Sequence, residues 1–289
     1  MATTILASEG PNAEQITYWN EQGQKWVGLQ AQLDAQLRPL GVLAMQRASI
    51  GTGEQILDVG CGCGETTLDL ARQTGPRGAV VGADISAPAL VRARQRADEA
   101  GLDNVRFENA DAQTCAFAPG SFDLVFSRFG VMFFSDPAAA FANLRAALRP
   151  GGRLAFVCWQ DLQRNQWMSL PLAAIARHVP LPPPSPPGAP GPFAFADAER
   201  VRNILTQAGF AALRFEAVDE TLAIGGDGAL DDAVDFVLQI GPVATALRQA
   251  GEAARLVVTT AVREAIAPFY ASQRVRMTAA AWIVTGRRG

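Results

Sequence analysis

Apolar positions run along this chain in two rhythms. Over residues 13–49, Tyr18, Trp19, Trp26, Leu29, Leu33, Leu37 and Leu40 recur three or four residues apart, as on one face of a helix, with Pro39 and Gly41 as punctuation. From residue 50 the period changes. Short, mostly apolar runs at 55–59 (QILDV), 79–83, 122–127 (FDLVFS) and 153–159, with a further strand at 105–108, alternate with helical spacings at 65–73, 86–100 and 137–148. Short apolar runs stopped by glycine describe strands buried on both faces. Ser86 stands where an N-cap belongs, with Pro88 in the first turn, and Arg149-Pro150-Gly151-Gly152 ends the helix before the last run. Strands alternating with helices imply parallel strands joined by right-handed crossovers, so residues 50–160 read as a doubly wound α/β core.

The remainder is less regular. Residues 165–179 have helical spacing, and 180–192 (PLPPPSPPGAPGP) are too proline-rich for a helix or a buried strand. A helix at 197–208 ends at Gly209, a strand-like run covers 211–224, glycines mark a turn at 225–228, 229–270 is mostly helical, and 274–285 alternates as a closing strand. The chain thus divides into an N-terminal helical cap (1–49), the core (50–160), an insertion with the proline-rich loop (161–196), a core continuation (197–225), a helical lid insertion (226–273) and a closing strand (274–289). The two insertions are expected over the carboxyl ends of the strands. Phe193, Phe195, Phe236, Val237 and Ile240 within them suggest an apolar or aromatic pocket.

The chemistry concentrates in Asp58-Val59-Gly60-Cys61-Gly62-Cys63-Gly64, which joins the first buried strand to a helix. Open α/β sheets bind ligands at such carboxyl ends, and glycines let the main chain turn sharply and approach a ligand. The dinucleotide fingerprint requires glycine at position 65, where Glu65 stands, and a phosphate loop requires Gly-Lys-Ser/Thr, which is missing. No Lys or Arg lies in the bend, so an amino acid joined to a nucleoside suits it better than a pyrophosphate. Asp84 closes the second strand, where a carboxylate accepts both hydroxyls of a ribose. Asp111, after the third strand in ENADA, is placed beside it to accept from an adenine amino group.

With these motifs in order, ILDVGCGCGETTLDLA, VVGADIS, NADAQ, FDLVFSRFGVMFF and LRPGGRLAFVCW, the chain resembles the class I S-adenosylmethionine-dependent methyltransferases. It is most similar to their UbiE-like (ubiquinone/menaquinone-type) small-molecule branch. The resemblance covers about residues 50–160. It implies a Rossmann-like sheet of seven strands with the last antiparallel. It also implies a cofactor site in which Asp58 opens the bend and Gly60, Gly62 and Gly64 face the methionine portion. Asp84 would hold the ribose, Ile85 pack on the adenine, Asp111 and Ala112 border its amino group, and Ser127 lie near the sulfonium. The acceptor's identity does not carry over.

Composition narrows the alternatives. Hydrophobic residues form 49% of the 289-residue chain and charged ones 18%, enough to build a large core, and a net charge of −3 with scattered arginines offers no nucleic-acid surface. Residues 1–12 lack the basic start and apolar run of a signal peptide, and no run reaches membrane length, so a cytoplasmic protein without membrane insertion is expected. Four cysteines are too few for a disulfide scaffold, and Cys61-x-Cys63 is not a zinc spacing, so no metal is expected. Candidates for the chemistry itself are three. His178, the sole histidine, is a base on a lid or an inert surface residue. Arg128, at the mouth of the pocket, pairs with an acidic group or caps the sheet edge. Tyr18, with Trp19 and Trp26, packs the leading helix or closes it over the cofactor. An NAD(P)-dependent oxidoreductase shares the glycine bend and the acid after strand two, but Glu65 and the Arg149–Gly152 entry count against it. A catalytically silent cofactor-binding protein is the third reading. The partner expected is a small molecule; oligomeric state is not legible.

Overall fold

Two helices, α1 (Ala13–Gly28) and α2 (Gln30–Ala48), lead into the sheet. Then β1 (Gln55–Val59), α3 (Glu65–Thr74), β2 (Ala79–Asp84), α4 (Ala87–Ala100), β3 (Val105–Asn109), β4 (Phe122–Arg128), α5 (Pro137–Ala147) and β5 (Leu148–Trp159) alternate as the apolar runs require. Helices α6 (Gln166–Ile175) and α7 (Ala198–Gln207) precede β6 (Phe210–Ala223). Helices α8 (Leu230–Val237), α9 (Gly241–Ala250) and α10 (Arg255–Ile266) precede a two-residue strand, β7 (Tyr270–Ala271), that turns into β8 (Arg274–Arg288). The computed structural model describes residues 10–183, 185, 186 and 188–289. The signal-peptide expectation for residues 1–9, and Pro184 and Pro187 of the proline-rich loop, lie outside the described residues.

The sheet order is β3-β2-β1-β4-β5-β8-β6, parallel from β3 to β5, with β8 antiparallel to both β5 and β6. The expected Rossmann-like architecture is present, the two-residue β7 being an added hairpin on β8. Ile56, Leu57, Val80, Leu124, Val125, Phe126, Ala155, Phe156 and Val157 have no solvent exposure, as continuous apolar strands covered on both faces must. Chain order reverses between β1 and β4, and the carboxyl rim at such a reversal is where open α/β sheets bind ligands.

Several expectations need correction. The single leading helix over 13–49 is two, interrupted at Leu29, while Pro39 lies inside α2 rather than ending it. The helix survives the lost N–H because Leu40, Ala44 and Ala48 are buried beneath it. Gly41 is helical too; a Cβ there would come within 3.1 Å of Arg128 Cδ, so its smallness lets that arginine pass under α2. Ser86 has N-cap backbone angles but its hydroxyl donates to the Trp19 carbonyl. The Ala87 amide is capped instead by Asn20 Oδ1 from α1 at 3.0 Å. Strand β5 begins at Leu148, taking the Arg-Pro-Gly-Gly segment into the sheet through a bulge opposite β4. The helix expected over 165–179 stops at Ile175, and 229–270 breaks into three helices at Gly241 and Gly251. Phe195, expected to line a rim pocket, is instead buried against Phe141 and Phe156, and Cys158 Sγ meets its carbonyl. No described helix is long and apolar enough to cross a membrane.

Candidate cofactor and acceptor site

Strand β1 ends in a bend at the reversal of strand order, and its three alternate glycines do different work. Gly60 (φ +69°) faces Gly130 after β4, where an added Cβ would stand 2.6 Å from the Gly130 Cα. A Cβ on Gly64 would meet Ala93 and Phe107 at 3.0 and 3.2 Å, so this glycine admits α4 and β3 rather than a ligand. Gly62 alone of the three looks onto open space, with nothing within 4 Å of an added Cβ. The resemblance treats the three alike; the packing singles out Gly62. Gly60→Ala combines a backbone clash with a left-handed conformation, and is expected to lower unfolding free energy in denaturant titration by about 2–4 kcal/mol.

Two carboxylates flank the bend. Asp84 Oδ2 accepts from the Gly62 amide at 2.7 Å and Oδ1 from the Ser86 amide at 2.8 Å. Each oxygen therefore keeps a lone pair, the pair of acceptors a diol needs. Burial raises the Asp84 carboxyl above the ordinary value although both amides pull it down. Asp58, fully buried one strand away, receives the hydroxyls of Thr66 and Thr67 on Oδ2, each at 2.7 Å, while Oδ1 has no partner. Desolvation pushes its carboxyl up to about 6, against the pull of those hydroxyls and of Arg128.

Asp111 lies near Asp84, since Asn109 pairs with Asp84 across the sheet and the Ala110 amide donates to the Asp84 carbonyl at 3.1 Å. Its own carboxylate is already engaged: Oδ1 accepts from Asn12 Nδ2 (3.2 Å) and the Gln113 amide (2.9 Å), and Oδ2 from Thr114 (3.3 Å). Ser127 is likewise occupied, donating to the Val59 carbonyl at 2.7 Å and accepting from the Gly130 amide, so it ties β4 to the bend. Helix α1 roofs this side: Asn20 Nδ2 donates to the Ile85 carbonyl, and Trp19 packs edge-on to Tyr18, Trp26 and Phe133. Ile85 is half-buried beside that roof and Ala112 is buried. Tyr18 stays 40% exposed, edge-on to Trp19.

Arg128 is not free for an acidic ligand. Its guanidinium pairs with buried Glu65 and lies 3.9 Å from Asp34. Arg38 joins Glu65 and Asp69, each at 3.0 Å, while Arg96 joins Asp34 at 2.8 Å and donates to the Cys63 carbonyl at 2.8 Å. Charges from α2, α3, α4 and β4 thus belt the bend, a set of tertiary pairs that no sequence spacing announces. Glu65, at the first position of α3, also places a carboxylate where a pyrophosphate would otherwise find the helix N-terminus. His178, beyond α6, is exposed and not brought to the bend by any side-chain contact. Burial raises the Cys61 thiol and pushes that of Cys63 up to about 11, which suits small packing residues rather than nucleophiles. Among the described residues no three His, Cys, Asp or Glu side chains cluster as a metal site.

The sequence pattern does not announce an aromatic wall at the same rim. Phe129, after β4, is held at φ +63° and stacks on Trp159 at the end of β5, with centroids 4.0 Å apart and planes 18° apart. Trp159 in turn meets Trp167 of α6 at 5.7 Å. Both positions in FSRF and VCW are legible as strand ends; what is not legible is that α6 returns over them. Three buried polar atoms without partners lie at this rim: Asp58 Oδ1, Trp167 Nε1, and Gln36 Nε2, whose Oε1 accepts from the Gly225 amide after β6. A fourth, Asp123 Oδ1 at the opposite end of the sheet, lies against the Arg149 guanidinium. Buried polar groups are paired in nine cases of ten or more, which sets these atoms apart. A cleft of about 540 Å³ lies elsewhere, at the amino ends of β2 and β3.

Comparison with known proteins agrees with the geometry. Residues 56–152 match a family described as a methyltransferase domain. Over 118 residues the chain is 38% identical to aklanonic acid methyltransferase DauC of Streptomyces sp. (strain C5), covering 41% of this chain and 54% of that one. It is 37% identical over 111 residues to the ubiquinone/menaquinone biosynthesis C-methyltransferase UbiE of Hahella chejuensis, covering 38% and 45%. The chain spans about half the length of the curated relatives it matches. In fold it is similar to the YcgJ protein of Bacillus subtilis, with a TM-score of 0.57 at 17% identity over 86% of this chain and 97% of that one. Residues 56–152 thus form a methyltransferase domain, carried on a sheet whose fold is that of the YcgJ protein.

Proposed function

We propose that the chain transfers the methyl group of S-adenosylmethionine to an apolar or aromatic small molecule by in-line displacement. The observation that carries this reading is the rim itself: an open Gly62, an Asp84 with two free lone pairs, and a buried, unpartnered Asp58 Oδ1. These fit a ribose diol and an ammonium group. Asp84 takes the ribose hydroxyls and Asp58 Oδ1 the amino group of the methionine portion. Ile85 packs on the adenine, with Asp111 and Ala112 bordering its amino group. When bound, the donor supplies an activated methyl on a sulfonium, so the protein needs chiefly to align the acceptor and exclude water, effects worth about 7–11 kcal/mol in well-oriented reactions. Helix α1 excludes water on the adenosine side, and Phe129, Trp159 and Trp167 wall the side where the acceptor enters.

A screen with methyl-labelled donor against phenols, quinols, thiols and carboxylic acids tests the reading. At least one acceptor is expected to take up label with matching release of S-adenosylhomocysteine. A chain that binds the donor but labels nothing is a silent cofactor-binding protein.

A further inference from the structure

We propose that the outer edge of β6 is an interaction surface whose partner is β6 of a second copy of this chain, paired antiparallel about a two-fold axis at Ala217. The inference goes beyond the methyltransferase reading and stands independently of it.

The sheet ends at β6, which pairs with β8 on one side and with no strand among the described residues on the other. From Arg214 to Ala223 its register against β8 is unbroken. In such a strand every second residue turns its amide and carbonyl away from the neighbour already present, so this stretch offers a row of free hydrogen-bonding groups. Native edges are commonly blunted by shortness, proline, lysine or a bulge. The opposite edge, β3, is only five residues long. Along β6 the irregularity lies between Ala211 and Arg214, where Ala212 is held at φ +51°. The stretch beyond it, RFEAVDETLA, contains no Pro, Gly or Lys, and Ala217 near its middle is exposed. Charged side chains can protect an edge too, so their arrangement decides whether this one repels or attracts its copy.

Side chains alternate along a strand, so Arg214, Glu216 and Glu220 share one face of β6 and Asp219 lies on the other. Glu216 is held by Arg47 of α2 through two bonds of 2.7 Å and Asp219 by Arg164 at 3.0 Å, whereas Arg214 and Glu220 have no ion-pair partner among the described residues. These two stand three residues either side of Ala217. A two-fold axis there sets each Arg214 directly opposite Glu220 of the other copy, so opposite charges meet at both ends of the paired stretch 214–220. Other axes fare worse. At Arg214, Glu216, Asp219 or Glu220 the axis sets that charge against itself, and at Val218 it sets Glu216 against Glu220. An axis at Phe215 draws residues 211–213, where the register breaks, into the ladder. Ala217 alone in this stretch combines matched charges with regular backbone. The pairing is self-complementary and closes on itself, leaving no free β6 edge.

Sedimentation equilibrium of the 289-residue chain at low salt tests the pairing. The wild type is expected to form a reversible dimer; a chain still monomeric at about 0.1 mM overturns the inference. Arg214→Glu and Glu220→Arg each place like charges opposite one another at two points of the dimer, and each is expected to weaken it about tenfold or more. An equimolar mixture of the two variants is expected to regain wild-type affinity, because the heterodimer again sets Arg against Glu at both points. The double variant is expected to recover for the same reason. A dimer that ignores both reversals, or that weakens without recovery in the mixture, overturns the β6 pairing. Amide hydrogen exchange of the wild type reads the same edge without any substitution. Protection over 214–220 is expected to rise with protein concentration, and exchange there that is independent of concentration also overturns the inference.

Discussion

Replacing Asp84 by alanine is expected to weaken S-adenosylhomocysteine binding by about 2–4 kcal/mol, roughly 30- to 1000-fold, while the protein remains folded. Two effects add. The variant loses both acceptors offered to the ribose hydroxyls, and charge-assisted hydrogen bonds are worth about 1.5–3 kcal/mol each before the cost of desolvation. It also frees the Gly62 and Ser86 amides, which the carboxylate holds at 2.7 and 2.8 Å, so the bend loses the clamp that shapes it. Asp84→Asn retains one oxygen and the volume, and is expected to fall between alanine and the wild type. Calorimetric titration, with circular dichroism to establish folding, reads the result. Unchanged affinity in a folded Asp84→Ala protein would contradict the ribose assignment.

With Asp58 in the proposed cofactor site, both stability and cofactor affinity are expected to depend on pH. Its folded carboxyl titrates near 6, against about 3.9 in an unfolded chain. The folded state therefore holds the proton more tightly, and stability falls as pH rises from about 4 to about 6. The difference between the two states is worth about 3 kcal/mol at a fully buried site. Cofactor binding has the opposite slope, because only the ionised Oδ1 pairs with an ammonium group. Affinity for S-adenosylhomocysteine is expected to be roughly tenfold weaker at pH 5 than at pH 7, since each pH unit below the pKa costs up to about 1.4 kcal/mol. Asp58→Asn should bind weakly and without that slope. Titrations across this range, paired with denaturant unfolding, separate the two trends; an affinity flat from pH 5 to 7 in the wild type would remove Asp58 from the cofactor site.

The parts of the fold that the sequence disclosed are those governed by local chemistry. Strands β1 to β4 lie within a residue of their expected limits, and β1, β2 and β4 do so because each is a mostly apolar run cut off by glycine or by a helix start. Asp58, Asp84 and the glycine bend were visible for the same reason, being fixed by their place at strand ends. What escaped notice depends on the tertiary fold. Asn20 caps α4 from another helix, displacing Ser86 from that role. Pro39 is carried through α2 by burial of its neighbours. Arg128 is neutralised by Glu65, 63 residues away in sequence. Trp167 reaches Trp159 only because Asn165 fastens the start of α6 to β8. Phe195, expected in a rim pocket, went into the core because its segment folds back against β5.

One rim pocket, built from Gly62, Asp58 and Asp84, is proposed to hold an adenosyl group joined to an amino acid and not a dinucleotide. Parallel calorimetric titrations of the wild-type chain with S-adenosylmethionine, S-adenosylhomocysteine and NADH test it most directly. Saturable one-to-one binding of the first two, with no heat from NADH, is the predicted result. Saturable NADH binding, with neither adenosyl compound bound, would contradict it.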